Sequence, residues 1–229
     1  MTISVLSKPW IPRVFPFALY ILFIPLESAF EFILANNTAA LYLTPFFYTV
    51  RILLVIIALI YFRNAYDELK WEGINRQGLI LSLFIGAMVF ILWINLDQDF
   101  AKQGENKSFD PNLLPDVFYY IFIIIRLTGA SLIVPLFEEL FWRSFILRYI
   151  INPDFTSIRI GAFTWPSFII ASVLFGLEHN LWLAGIVAGV LYNMLLYRTK
   201  NLYLCIMAHG MTNLLLGIYV IKTGLWAFW

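Results

Sequence analysis

Apolar runs long enough to cross a bilayer follow one another along almost the whole chain, with only short polar connections between them. Hydropathy marks seven, at about 14–34, 41–62, 78–95, 117–147, 163–178, 181–197 and 201–221, most of them close to the ~20 residues a helix needs to span hydrocarbon. The longest polar stretch, Leu96 to Pro115, holds Asp97, Asp99, Lys102, Glu105, Lys107 and Asp110 and reads as a loop. A second, Arg63 to Arg76, holds Asp67, Glu68, Lys70 and Glu72. The predicted architecture is therefore all-α, a polytopic membrane helix bundle with seven transmembrane helices and no internal repeat. Eight is the alternative, because Pro135 lies inside the fourth run and proline can kink or divide a helix. Residues 1–114 supply three helices and the outer loop, and 115–229 a second helix bundle, within a single integral membrane unit.

Composition narrows the class further. With 62% apolar residues, 13% charged residues and a mean hydropathy of +0.83, a soluble globular domain is excluded. A net charge of +1 with no basic run gives no sign of a nucleic-acid partner. Cys205 is the lone cysteine, so neither an intramolecular disulfide nor a CxxC metal site is available. The first apolar run continues through Leu34 without a small-residue cleavage site and is expected to be retained as a span. One set of connections carries Lys8, Arg13, Arg63, Lys70, Arg76, Arg148, Arg159, Arg198 and Lys200, whereas the other carries only Lys102, Lys107 and Lys222. By the positive-inside rule the N-terminus is expected in the cytoplasm.

Against this background the polar residues inside the runs stand out. An ionised side chain at the centre of a membrane helix costs roughly 2.5–3.5 kcal/mol on insertion scales. Yet Glu138, Glu139 and Arg143 share one run, and the chain's two histidines, His179 and His209, lie in or beside two others. Glu139 and Arg143, four apart, can pair on one helix face, which leaves Glu138, about 100° around the helix, free to face something else. Held away from water, a carboxylate becomes a more effective general base. In Phe175-Gly176-Leu177-Glu178-His179, Phe175 and His179 share a face and Gly176 admits a close neighbour. Glu178 reads as a boundary residue that can also orient His179. In His209-Gly210-Met211-Thr212-Asn213, a neutral histidine N–H and the Asn213 amide can converge on one developing oxyanion. Taken singly, each motif is explained by helix packing. Together, these side-chain types point to hydrolysis in a shared polar pocket.

The order E-E-x-x-x-R, F-x-x-x-H, H-x-x-x-N in apolar helices resembles the CAAX-processing and bacteriocin-processing (CPBP) family of intramembrane proteases, over roughly residues 115–221. That resemblance implies an endopeptidase of the bacterial inner membrane, with a peptide or protein substrate at the membrane and lipid around it. Glu138 and His179 would activate water, His209 and Asn213 would stabilise the oxyanion, and Glu139 and Arg143 would support them. Trp142-Arg143-Ser144 departs from the F-R-G of many members and resembles the branch associated with exosortase sorting systems. No cofactor is expected. The runner-up is zinc held by Glu138, His179 and His209, against which stands the absence of an HExxH spacing.

Three further expectations follow. Glu27 and Glu31, one turn apart, are expected to be neutralised by Arg51 and Arg126, and Trp10, Trp71, Trp93, Trp182, Trp226 and Trp229 to anchor the interfaces. Straight helices would put Glu138 and His179 toward opposite faces of the membrane, so a shared site requires a tilt or break near Pro135. A non-enzymatic scaffold or immunity protein, or a proton-coupled transporter using Glu27 and Glu31, are the competing functions.

Overall fold

The computed structural model describes residues 8–34, 38–71, 73–104 and 108–229; Glu72, Glu105 and Lys107 of the two polar loops lie outside them. Every regular element among the described residues is helical. The rods are α1 (Ile11–Ile33), α2 (Leu43–Tyr61), α3 (Arg76–Asn95), α4 (Asp116–Ile151), α5 (Trp165–Leu177), α6 (Trp182–Thr199) and α7 (Leu202–Thr223). Side-chain caps start three of them: Asn75 accepts from Gly78 N, Thr164 from Ser167 N and Asn201 from Leu204 N. Among the described residues, five helices (α1, α2, α3, α4 and α7) are long and apolar enough to cross a membrane. The α5 helix is shorter, and α6 carries Tyr192 and Asn193 buried in its middle. The protein is an integral membrane helix bundle.

The fourth run is one unbroken helix of 36 residues, roughly 54 Å at 1.5 Å per residue and so longer than the ~30 Å hydrocarbon core. Pro135 does not divide it. The proline is the second residue of the short α-helical stretch Val134–Glu139, and π-helical turns, Gly129–Ile133 and Leu140–Ile146, lie on either side. A widened turn before the proline relieves the clash of its ring with the preceding carbonyls. These π turns also rotate the helix faces, which affects where Glu138 points.

Close approach sets the rest of the geometry. A Cβ on Gly176 would fall 2.6 Å from Ile186 N and 2.7 Å from Trp182 O, so α5 and α6 meet backbone to backbone only because that residue is glycine. The α3 helix packs on α6 and α7, where Ser82 donates to Leu204 O at 2.7 Å and Thr212 to Gly86 O at 2.9 Å.

At one end of the bundle a polar cluster ties α1 to α4. Arg13 clamps Glu68 through Nε and a terminal nitrogen at 2.8 and 2.6 Å. The Ser144 hydroxyl donates to Glu68 and accepts from Arg13 at 3.2 Å and from Arg148 at 2.7 Å, so its donor and both lone pairs are used. Serine in place of glycine thus adds a cross-link. Burial alone would raise the Glu68 carboxyl, but the Arg13 hydrogen bond and charge and the Ser144 hydroxyl outweigh it and hold it below 4.5. A depressed folded value means that this stabilisation is complete above about pH 4.5 and is lost as pH falls through the folded value. Glu68→Gln is expected to flatten the acid limb of a melting-temperature profile between about pH 5 and 3; an unchanged slope would refute this.

Candidate functional site

The polar side chains of α4, α5 and α7 meet in one cavity of about 240 Å³. Glu138, His179, His209 and Asn213 all line it. The opposite-face problem posed by straight helices does not arise: Glu138 and His179 line the same cavity, with ligand atoms within 4.8 Å of each other. Glu138 is buried, with Oε2 lacking a hydrogen-bond partner. His179 donates from Nδ1 to Phe175 O at 2.7 Å; a carbonyl can only accept, so the proton sits on Nδ1 and the Nε2 lone pair is free. Its ring packs edge-on against Trp93, at 5.3 Å between centroids.

Glu139 organises the opposite wall. Its Oε1 accepts from Arg143 at 3.2 Å and from His209 Nδ1 at 2.9 Å, and both groups are buried. Arg143 also reaches Asn193 Oδ1 through Nε at 3.2 Å, Asn193 in turn donates to Ser172 at 3.0 Å, and the guanidinium lies over Phe175 at 4.3 Å. His209 stacks on Tyr192, whose hydroxyl donates to Thr212 at 2.7 Å. The neutral histidine N–H expected to face the cavity is already spent on Glu139. His209 Nε2, 3.8 Å from Glu138 Oε2, can donate only when the ring is an imidazolium. Asn213 likewise gives one amide hydrogen to Ala130 O, at 2.8 Å in the first π turn, and keeps the second.

Several contributors were not visible as such in the sequence. Glu178 is drawn inward: Trp142 Nε1 donates to its Oε1 at 2.9 Å, and the carboxylate lies 3.9 Å from His179 Nδ1. Among the described residues, the group whose ligand atoms all fall within 4.8 Å of one another is Glu138, Glu178 and His179, not Glu138, His179 and His209. His209 is absent from that set while its Nδ1 is turned to Glu139. Tetrahedral zinc ligands lie about 3.3 Å apart, so the three groups would have to contract around such an ion.

Arg126 and Arg51 share a cavity with Glu27 and Glu31, as expected, and their charges act on Glu27, but at a distance. Neither forms an ion pair within 4.0 Å with Glu27 or Glu31; aromatic faces hold them instead. Arg51 lies over Tyr20 at 4.5 Å, and Arg126 over Tyr48 at 5.0 Å and Trp229 at 5.1 Å. Arg126 lines both the central cavity and the neighbouring one that contains Glu27 and Glu31. Trp93, Trp226 and Trp229, expected at the interface, turn inward: Trp93 and Trp229 line the central cavity and Trp226 is buried. Ring-stacking partners in the bundle outcompete the headgroup region for them.

The fold and this chamber define a membrane-embedded helix bundle with carboxylates, imidazoles and a carboxamide in its interior. Residues 120–215, which include all three motifs, match the family described as type II CAAX prenyl endopeptidase Rce1-like. Over that segment the chain is similar to the CAAX protease family of membrane hydrolases, the same family that the motif order resembles. No curated protein and no solved structure matches the chain. The family match gives no support to the exosortase link.

Proposed function

We propose that the protein is an intramembrane endopeptidase in which Glu138 and His179 activate the water that attacks a peptide carbonyl. One observation carries this reading: Glu138, His179, His209 and Asn213, from three segments far apart in the chain, line a single cavity. Water held between Glu138 and His179 Nε2 would give its proton to the carboxylate as its oxygen bonds to the carbonyl carbon. The second Asn213 amide hydrogen and the His209 imidazolium would meet the oxyanion. Glu139, through its bond to Nδ1, would fix the orientation of that ring. On collapse, the proton held by Glu138 passes to the departing amine. The charges then balance: Glu138 with His209, and Glu139 with Arg143.

The substrate class that fits is a peptide tail tethered at the membrane, and a prenylated CAAX-type peptide is the first to try, given the description of the matched family. The topology that fits is seven crossings in a bacterial inner membrane, with residues 1–114 and 115–229 forming one unit and the N-terminus in the cytoplasm. The purified protein in detergent or lipid should release a carboxyl-terminal fragment from such a peptide, detected by mass spectrometry. Cleavage should be insensitive to a strong zinc chelator. The proximity of Glu138, Glu178 and His179 favours a zinc-dependent second reading. Loss of cleavage on chelation, restored by added zinc, would replace the metal-free mechanism with that one. No cleavage by the metal-loaded or metal-free protein would reject both for this substrate.

A further inference from the structure

A second cavity, about 440 Å³, lies at the α6–α7 turn and is not used by the chemistry proposed above. The start of α1, the connection after α2, the end of α4 with the loop beyond it, and the turn itself all contribute to it. Five cationic side chains line it: Arg13, Lys70, Arg148, Arg159 and Lys200. Only two acids, Asp67 and Glu68, accompany them.

The pairing leaves a surplus of positive charge. Glu68 is occupied by Arg13 and Ser144. Arg148 reaches the neutral Ser144 hydroxyl and Ile158 O and stays 3.9 Å from Glu68. Lys200 donates to the Gly161 carbonyl, a neutral acceptor, from a backbone held at φ +55°. That conformation is uncommon for a residue with a side chain and here keeps the ammonium turned toward the cavity wall. Among the described residues, Lys70 and Arg159 make no side-chain hydrogen bond or ion pair, and both are exposed. Three cations therefore face one space with no carboxylate of the described residues in pairing distance.

The neighbourhood sets the depth. Trp71, 70% exposed, stacks on Tyr203 at 4.8 Å, and Trp165, at a helix start on the same end of the bundle, is 65% exposed. Exposed indoles at helix ends mark the headgroup level of a bilayer. Basic pockets between helices at that level suit phosphate-bearing headgroups. We infer that the cavity framed by Lys70, Arg159 and Lys200 binds a phosphate oxyanion, met in the membrane as the headgroup of an acidic phospholipid. The site stands independently of the proposed hydrolysis.

The full chain in neutral detergent should be melted with added phosphatidylglycerol, with phosphatidylcholine, or with inorganic phosphate. Phosphatidylglycerol is expected to raise Tm by about 5 °C or more at saturation and phosphatidylcholine to have little effect. Lys70→Gln/Arg159→Gln, which breaks no internal bond, should lose at least half of that rise. Lys222→Gln, in the last turn of α7, should lose none of it. Native mass spectrometry should show correspondingly fewer retained phosphatidylglycerol molecules in the double variant. A variant-sensitive rise with inorganic phosphate alone would keep the anion site and overturn its assignment to lipid. An equal response of wild type and double variant to phosphatidylglycerol would overturn the site itself.

Discussion

Glu138→Gln is expected to lower turnover by at least about 10³-fold while leaving Tm within about 2 °C of wild type. The substitution preserves the volume and hydrogen-bonding shape of the side chain but removes the base. Little stability should be lost, because the Glu138 Oε2 has no hydrogen-bond partner and no cation closer than His209 Nε2 at 3.8 Å. His179→Ala should give a similar loss, since its Nε2 is the other free acceptor on the cavity wall. If the two hold the same water, the double variant should be no slower than the worse single variant, because groups that act as a unit are non-additive. Independent, multiplying losses would mean that they do not share a step. Near-wild-type cleavage by Glu138→Gln would end the mechanism.

The residues of this site were legible because their types are rare in hydrocarbon, not because their spacing reveals a cavity. His179, His209 and the Glu138-Glu139 pair stand out against long apolar runs, and the i, i+4 pairing of Glu139 with Arg143 appears at 3.2 Å as local helix geometry requires. What was hidden depends on partners remote in sequence. Trp142 and Glu178 are joined across α4 and the end of α5, and Arg143 and Asn193 across α4 and α6. No periodicity announces either pair. Nor does it announce the π turns around Pro135, which convert an apparent break into the element that aims Glu138. The partner of His209 Nδ1 is hidden for a related reason: helical spacing places the ring beside Asn213 but does not announce its bond to Glu139. Charge alone places Arg126 with the acids of α1, whose cavity it does line, but does not announce the three aromatic faces around it or its place on the central cavity wall.

Arg143→Ala is expected to destabilise the protein by about 3–5 kcal/mol, the range for breaking a buried ion pair by removing one partner. Arg143 and Glu139 are 1% and 0% exposed, so no water replaces the lost guanidinium, and the Asn193 carbonyl is orphaned as well. For a chain of this length that corresponds to a fall in Tm of roughly 6–20 °C. Arg143→Lys should recover only part of it: an ammonium cannot hold the Glu139 oxygen and Asn193 in one plane while lying over Phe175. The decisive variant is Arg143→Met with Glu139→Gln. Removing both charges deletes the pair and its desolvation together, so melting in detergent should recover most of the loss seen in Arg143→Ala. Cleavage should not recover, because His209 would no longer have the carboxylate that holds its ring. Recovery of both stability and cleavage would show that Glu139 and Arg143 serve packing alone. An Arg143→Ala protein that melts with wild type would show that the pair is not buried as described.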